Sequence, residues 1–305
     1  MLVGVNDEVC CIYMLTRVLV LLFLVCSFCA DAILLYVDDE NDLRVLREEV
    51  PPSSIGNNTN LLVMSFLDKR KVTLVPASYK RALKAMAEKE DAVCVQNRIK
   101  TPDRVESYLF SLPINIYLSH RLYQHIQSPP LNADLLNEEG EISSLSNVFY
   151  KYKSSMIVLA PSMSYGNYLD TQIRNIPESN KVLRDGTNHY DMTFQMFRRH
   201  RADFYLGYPA AIFRHLQKEP TELRAYDIAG APKYVIGHWM CNDTAQSRKF
   251  LQEFDEAVKK AYQSADFYHA HLRWLPETAQ LKTKMYLDDL LESFGVVPPT
   301  IVKHW

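Results

Sequence analysis

The sequence lacks an excess of charge of either sign. Its 305 residues contain 34 basic and 36 acidic side chains, so the formal net charge is −2. No basic run occurs along the chain. Nucleic-acid binding needs a concentrated face that neutralises phosphates, and the sequence therefore argues against nucleic acid as a partner.

Several common catalytic and metal-binding patterns are also absent. The chain contains no GxSxG, HExxH or P-loop pattern. His269 and His271 lie two residues apart on a predicted helix, which directs them to different sides and argues against a metal site. We therefore expect no metal and no cofactor. The apolar content of 48% and charged content of 23% are typical of a globular protein.

The strongest compositional bias is an apolar run near the N-terminus. The stretch "MLTRVLVLLFLVCSFCADA" has a positive charge at Arg17, a short apolar core and the site Ala30-Asp31-Ala32. This order is typical of a secretory signal peptide, whereas a membrane span needs about 20 apolar residues. We predict that residues 1–32 are a cleaved signal peptide and that the protein is periplasmic. An uncleaved membrane anchor is the alternative, and translation starts at Met1 or Met14.

Removal of this segment leaves few cysteines. Four of the six lie within it, and the mature chain keeps Cys94 and Cys241. Two cysteines in an exported chain indicate either one disulfide or two separate buried thiols. The mature chain has equal numbers of acidic and basic residues, since Arg17 and three acids are removed.

Strand-like and helix-like stretches alternate in the mature chain. The strand "ILLYV" is followed by the acidic "DDEND", and "NTNLLVMSFLDKR" is predicted to form a helix with Asn or Thr as its cap. "KVTLVPAS" and "DAVCVQ" are predicted strands that flank the helix "SYKRALKAMAEKE". Such alternation favours a parallel sheet. It resumes after a Pro-rich loop at 127–144, which indicates two α/β lobes.

One helix start, in "VQNRIKTPDRVESYLFSLPI", contains an unexpected basic residue. Thr101 can cap the helix, Pro102 suits its first position, and Asp103 complements its dipole. Arg104 has the wrong sign for that dipole. Ligands of open parallel sheets bind beyond the carboxyl ends of strands, where a guanidinium can hold a carboxylate. Arg104 is therefore either an anion contact or a surface residue paired with Glu106 or with a loop carbonyl.

The same segment resembles the type II extracytoplasmic solute-binding proteins of family 3, which bind polar amino acids. In that family a strand leads to a Thr-Pro-acid-Arg helix start, and an aromatic-Ser-x-Pro sequence, here Phe110, Ser111 and Pro113, crosses into the second lobe. "ADFYLGYPAAI" resembles a lobe-two strand of the family. "YVIGHWMCNDTAQSRKFLQEFDEAVKKAYQ" resembles its return strand and terminal helix, so the resemblance extends over most of the mature chain.

This resemblance implies an α/β protein with the two-lobe type II fold, in which each lobe is a mostly parallel sheet flanked by helices. Lobe one would begin with residues 33–113, lobe two would be 114–233, and residues 234–305 would complete lobe one. The implied topology returns the chain close to Cys94, and we therefore predict a disulfide between Cys94 and Cys241.

The resemblance also implies a ligand site between the lobes. Arg104 matches the arginine that grips a ligand carboxylate, while Tyr165 and Gly166 lie where lobe two closes on the ligand. The sequence differs from the family in two places. Ser164, Tyr165 and Gly166 replace the family's Gly-Thr pair at the start of a lobe-two helix, and no acidic residue follows the lobe-two strand that ends at Tyr208. We therefore expect a small, polar and anionic ligand.

Residues at other predicted strand ends complete this site. Asp38 follows the first strand, Asn97 follows the third, and the rings of Tyr36 and Tyr208 lie near strand ends where aromatic residues commonly line pockets. A solvated acidic turn is the alternative for Asp38, and a core or rim position is the alternative for each tyrosine.

These features predict a monomeric solute-binding protein that serves transport or sensing. Its partners would be the small-molecule ligand and a separate membrane chain, either the permease of an ABC transporter or a sensor. One alternative is a periplasmic dehydratase or lyase on the same fold, with an acid or base supplied by Asp38, Asp39 or Asp203. A second alternative is an interaction module that binds no ligand.

Overall fold

A computed structural model describes residues 32–297 except 89 and 162. The predicted signal peptide lies outside the described residues, apart from its last residue. Within the described part of the chain, no helix is both long and apolar enough to cross a membrane.

Strands and helices alternate along the described chain as the sequence indicates. The strands are β1 (Ile33–Val37), β2 (Val72–Pro76), β3 (Val93–Arg98), β4 (Leu109–Phe110), β5 (Asn115–Leu118), β6 (Arg121–His125), β7 (Ile157–Leu159), β8 (Lys181–Leu183), β9 (Phe204–Gly207), β10 (Leu223–Tyr226) and β11 (Tyr234–Cys241). The α-helices are α1 (Glu40–Leu46), α2 (Ile55–Met64), α3 (Tyr79–Glu88), α4 (Pro102–Ser107), α5 (Leu145–Lys151), α6 (Asn167–Arg174), α7 (His189–Arg198), α8 (Pro209–Lys218), α9 (Ala245–Tyr262), α10 (Ala265–Leu272) and α11 (Glu277–Ser293).

The strands form two separate sheets. The first has the order β2-β1-β3-β11-β4, with β5 also paired to β11, and the second has the order β10-β6-β9-β7-β8. Strand β1 is parallel to β2 and β3, whereas β11 is antiparallel to its neighbours. In the second sheet β7 is parallel to β8 and β9, and β6 is antiparallel to β9 and β10. Each sheet is therefore mixed, because β11 in the first sheet and β6 in the second add antiparallel pairs beside a block of three parallel strands.

Each sheet is covered by its own apolar core. Trp239 on β11 packs against Phe250 and Phe254 of α9, with ring centroids 5.8 and 4.3 Å apart. In the second sheet Phe204 meets Phe149 of α5 edge to face at 5.6 Å. Both clusters are buried, so each sheet has the hydrophobic support that a lobe needs.

Side-chain caps fix the starts of helices α1 and α2. Asp39 accepts a hydrogen bond from the Asp42 N–H at 2.9 Å and thereby starts α1 within the acidic stretch. Ser54 and Asn57 form a reciprocal capping box, so α2 starts at Ile55. The sequence pattern predicts a start a few residues later, at Asn58 or beyond, but the Ser54 cap begins the helix at Ile55.

The strand that leaves the first sheet is held by a buried histidine. Strand β5 pairs with β11, and the Ile116 N–H donates to His271 Nε2 at 3.2 Å. His271 Nδ1 donates to the Phe267 carbonyl at 2.7 Å. Burial lowers the pKa of His271 to about 4, so a neutral imidazole fixes the crossing strand to α10. His271 therefore has a structural role.

The predicted disulfide between Cys94 and Cys241 is confirmed. The two residues are register partners on the antiparallel strands β3 and β11, and their Cα atoms are 4.1 Å apart. The bond closes a loop with a sequence separation of 147 residues. It joins two strands of the first sheet, because the chain returns to that sheet after building the second.

Candidate functional site

A cleft that is partly open to solvent is lined by residues of both lobes. Its lobe-one wall comes from the end of β1, helix α1, the start of α2 and the end of β3. Its lobe-two wall comes from the starts of α7 and α8. The charged and aromatic lining residues are Asp38, Asp39, Asp42, Arg98, Tyr117, His189, Tyr190, Tyr208, Arg214 and Trp274.

The lobe-one wall carries a pair of carboxylates on one helix turn. Asp42 Oδ1 accepts a hydrogen bond from Asn57 Nδ2, and its Oδ2 accepts one from Gln96 Nε2, both at 3.1 Å. Burial, helped by the charge of Asp39, raises the pKa of Asp42 to about 7. Burial also raises the pKa of Asp39. These two residues, the acidic pair, would be stabilised by a positive charge in the cleft.

A third carboxylate, Asp38, is already neutralised. Its Oδ2 lies 3.0 Å from Arg98 Nη2, and the two side chains are 12% and 5% exposed. Burial opposes ionisation of Asp38, but Arg98, His189 and a backbone hydrogen bond act together in the other direction, and the pKa of Asp38 lies below its ordinary value. The Arg98 guanidinium also covers the Tyr79 ring at 4.1 Å and donates to Met163 Sδ at 3.4 Å. This ion pair is internal to the wall of the cleft, so Asp38 is not a solvated turn residue.

Arg104 is not itself a lining residue of this cleft, although it contacts the lining residue Ile99. Its Nη1 donates to the Ile99 carbonyl at 3.1 Å, and its guanidinium carbon is 5.9 Å from the centre of the Tyr79 ring. The side chain thus folds back over the start of α4. Thr101 precedes that helix but makes no side-chain capping bond. Binding of an anion by Arg104 stays a prediction, and its position gives that role no support.

The other predicted site residues divide into two groups. Asn97, Asp38 and Tyr208 line the cleft. Tyr165 lines a much smaller neighbouring pocket, which shares the wall residues His189 and Tyr190 with the cleft. Two more residues lie outside the lining of both cavities. Tyr36 packs among the partly buried residues around β1 and α3, and Gly166 precedes α6 with a φ of 92°.

Asn97 organises the cleft floor through a buried amide network. Its Oδ1 accepts hydrogen bonds from Asn60 Nδ2 and Asn115 Nδ2, each at 2.8 Å. Asn115 also donates to Thr59 Oγ1 at 3.0 Å. The backbone of Asn97 has a φ of 56°, a left-handed conformation that asparagine tolerates better than most residues. The network joins β3, β5 and α2 at the point where they meet the cleft.

Aromatic rings form the middle of the cleft. Tyr208 lies 4.8 Å from Tyr117 and 6.4 Å from Tyr190, measured between ring centroids. The centroid of its ring also lies 3.8 Å from that of the His120 ring. Tyr117 comes from the crossing strand β5, whereas Tyr190 and Tyr208 come from lobe two. A ligand placed here would contact rings from both sides of the crossing.

The lobe-two wall carries an arginine that the sequence reasoning missed. Arg214 on α8 lines the cleft, and its Nη2 donates to Asp191 Oδ1 on α7 at 2.8 Å. The Arg214 side chain is 23% exposed and that of Asp191 is 50% exposed. The available signal was a basic residue one turn into the helix that starts at Pro209, which is too common a feature to single out.

The two walls touch directly beside the cleft. The Asn188 N–H donates to the Asp38 carbonyl at 3.2 Å, and Asn188 Oδ1 accepts from the Glu40 N–H at 3.0 Å. Asn188 adopts a left-handed φ of 53°. Backbone groups of the two lobes are therefore bonded to each other in this conformation.

Of the three candidate catalytic aspartates, Asp38 and Asp39 line the cleft and Asp203 does not. Asp203 is exposed and accepts a hydrogen bond from the Met156 N–H at 2.7 Å, outside the cleft lining. Burial lowers the pKa of His189 to about 4, so this lining histidine is neutral at pH 7. Among the described residues, no group of three or more His, Cys, Asp or Glu side chains is arranged to hold a metal ion.

Comparison with known proteins establishes the fold. Neither a family model nor a curated protein sequence matches the chain. Among solved structures, the arginine-, lysine-, histidine-binding protein ArtJ from Geobacillus stearothermophilus has a TM-score of 0.54 at 14% identity, over 82% of this chain and 99% of that one. A Salmonella typhimurium periplasmic binding protein with high arginine specificity has a TM-score of 0.51 at 17% identity, over 80% and 99%.

An ancestral arginine-binding protein bound to glutamine gives 0.54 at 12% identity, over 80% of this chain and 97% of that one. The agreement covers most of each chain, and the predicted two-lobe α/β fold of type II periplasmic binding proteins is confirmed.

Proposed function

We propose that the chain is an exported solute-binding protein that closes its two lobes on a small polar molecule. The observation that carries this proposal is the composition of the cleft, whose charged and aromatic walls come from both lobes. A ligand that contacts both walls stabilises the closed conformation relative to the open one. The direct hydrogen bonds between Asn188 and lobe one stabilise the same conformation.

The charge of the cleft favours a ligand that carries a cationic group. The acidic pair, Asp39 and Asp42, lacks the close guanidinium partner that neutralises Asp38. An exclusively anionic ligand, as the sequence suggested, would be repelled by this pair. The similar solved structures are described as binding arginine, lysine, histidine or glutamine, which are basic or neutral amino acids. We therefore replace the anionic ligand with a small molecule that bears an amino or guanidino group.

Binding rather than catalysis is the role that the cleft supports. Its carboxylates are engaged by amide groups and by Arg98, and the similar solved structures are described as binding proteins. The chain would act as a monomer in the periplasm and hand its ligand to a separate membrane permease or sensor.

A ligand panel tests this proposal. The purified protein should bind at least one of the common amino acids or their amine derivatives, with an increase in melting temperature and a saturable heat signal in calorimetry. Replacing Ala211, which lines the cleft, with Trp should fill the space and abolish binding. The control Ala133→Trp changes an exposed residue of lobe two and should bind normally.

Binding that survives in Ala211→Trp would place the ligand elsewhere. A wild-type protein that binds no member of the panel would contradict the proposed ligand class.

A further inference from the structure

The cleft contains two arginines whose surroundings differ. Arg98 is 5% exposed, is paired with Asp38 and covers the Tyr79 ring. Arg214 is 23% exposed, and its partner Asp191 is itself half exposed to solvent. A guanidinium carries five N–H donors, and the pair with Asp191 uses a single donor atom, Nη2. Arg214 is therefore the better placed of the two to exchange its contacts for those of a ligand.

The position of Arg214 relative to the acidic pair defines a polarity across the cleft. Asp39 caps α1 of lobe one and Asp42 lies in its first turn, while Arg214 lies on α8 of lobe two, and all three line the same cleft. Positive charge on lobe two therefore faces negative charge on lobe one. A molecule with one charge of each sign can satisfy both walls only in one orientation.

We propose that the ligand is zwitterionic, that its cationic group binds Asp39 and Asp42 on lobe one, and that its carboxylate binds Arg214 on lobe two. This inference rests on the proposed solute-binding function and specifies the orientation of the ligand. The anion contact then comes from lobe two and not from Arg104, whose guanidinium donates to the Ile99 carbonyl.

This arrangement makes the ligand an electrostatic bridge between the lobes. In the empty cleft, Arg214 is attracted by Asp191 on its own lobe and by the acidic pair on the other. A bound zwitterion supplies a cation to the acidic pair and a carboxylate to Arg214, which can form two parallel hydrogen bonds. Each charged end of the ligand then belongs to a different lobe, so both ends are needed for tight closure.

Matched ligands with and without the carboxylate test the proposal. The probes are arginine with agmatine, lysine with cadaverine, and histidine with histamine, each measured by calorimetry. Wild-type protein should bind the amino acid of at least one pair at least tenfold more tightly than its amine. Arg214→Ala should lose at least tenfold in affinity for that amino acid and should no longer distinguish it from the amine. Arg214→Lys should retain part of the preference, since it keeps the positive charge.

Two control variants test whether the loss of any arginine, in lobe two or in lobe one, weakens binding. Arg121 is also a lobe-two arginine paired with an aspartate, Asp227, but it does not line the cleft. Arg121→Ala should bind both members of the pair like the wild type, and Arg104→Ala should do the same. Circular dichroism and the melting temperature establish that each variant is folded.

The possible outcomes distinguish the two proposals. Equal affinity of the wild type for an amino acid and its amine, or unchanged binding of the amino acid by Arg214→Ala and Arg214→Lys, would overturn the role of Arg214 while leaving solute binding intact. Loss of affinity in Arg104→Ala but not in Arg214→Ala would return the anion contact to lobe one. Failure of every probe to bind the wild type would contradict the solute-binding proposal and this inference together.

Discussion

At the scale of single residues, the cleft is governed by carboxylates whose partners differ. Asp38 has a buried guanidinium beside it and keeps a lowered pKa, while the neighbouring acids on α1 have raised pKa values because they are buried with weaker positive partners. Three aspartates within five positions thus have opposite tendencies to ionise. This difference makes Asp42 the residue whose protonation responds to pH near neutrality.

Ligand affinity should therefore increase with pH through the titration of Asp42. Below its pKa of about 7 the carboxyl is protonated, and a cationic ligand must displace that proton, so affinity should fall by up to about tenfold per pH unit. The charges of Asp39, Asp38 and Arg214 also act on Asp42. Calorimetry from pH 5.5 to 8.5 measures the slope.

Replacement of Asp42 with Asn provides the comparison. Asp42→Asn should weaken binding at pH 8 by at least tenfold and flatten the pH dependence. The raised pKa of Asp42 means that the folded state holds a proton between about pH 4 and pH 7 that the unfolded state releases. The free energy of unfolding should consequently decrease with rising pH in the wild type, and decrease less in Asp42→Asn. The exposed control Asp134→Asn should retain the wild-type slope.

At the scale of elements, the start of α2 is the most constrained part of the cleft. Its capping box holds the backbone, and the amide network of Asn97, Asn60 and Asn115 holds the strands on which the helix rests. Gly56 lies within this contact. A Cβ atom there would be 2.6 Å from Tyr117 Oη and 2.7 Å from Asn97 Nδ2. The close approach of α2 to β3 and β5 therefore requires glycine.

Substitution of Gly56 with Ala should push α2 away from the cleft floor. Asn97 cannot move freely because its Oδ1 accepts two hydrogen bonds, so we expect Gly56→Ala to lower the free energy of unfolding by roughly 1–3 kcal/mol, the usual cost of overpacking. Ligand affinity should decrease as well, since Tyr117 lines the cleft. Urea denaturation and calorimetry provide the two measurements.

A second variant on the same helix serves as the control. Asn58 lies two residues further on and is half-buried, and Asn58→Ala should leave the ligand affinity unchanged. Equal stability and affinity of Gly56→Ala and the wild type would show that the helix adjusts without cost.

At the scale of the whole molecule, the chain builds one sheet, leaves it through β5, builds the second sheet and returns through β11. Closure on a ligand must therefore bend the molecule near two neighbouring crossing segments. The disulfide between Cys94 and Cys241 lies on the lobe-one side of these segments. It ties the returning strand to lobe one without joining the two lobes to each other.

Breaking this disulfide should destabilise the fold and spare the cleft. For a loop of 147 residues, the chain-entropy model gives about 5 kcal/mol as the stabilisation from the bond. Mass spectrometry of an unreduced digest should find the peptides of Cys94 and Cys241 linked. Reduction should lower the melting temperature by roughly 10–20 °C, at about 2–4 °C per kcal/mol.

A variant without the bond provides the control. The double variant Cys94→Ala, Cys241→Ala should melt at the lower temperature with or without reductant. Two free thiols in the unfolded, unreduced protein would contradict the linkage.

The sequence by itself determined the alternation of strands and helices and the positions of several strands. Periodicity and β-branched composition placed β1, β3, β8 and β11 within about two residues of their observed positions, because these patterns are local consequences of burial. The two-lobe fold was predicted from a resemblance to a known family. That resemblance rested on the Thr-Pro-acid-Arg helix start and on the segment that crosses between the lobes. Both cysteines were identified as partners, since the implied topology brought their strands together.

Only the tertiary structure decided which charged side chains face the cleft. Arg98, Arg104 and Arg214 are indistinguishable by composition. The first is neutralised by Asp38, the second donates to a nearby carbonyl, and the third meets the cleft from the other lobe. The direction of a long side chain depends on partners far away in sequence, such as residue 38 for residue 98. Local patterns record the burial of a strand or helix but contain no information about these distant partners, so the polarity of the cleft could not be read from the sequence.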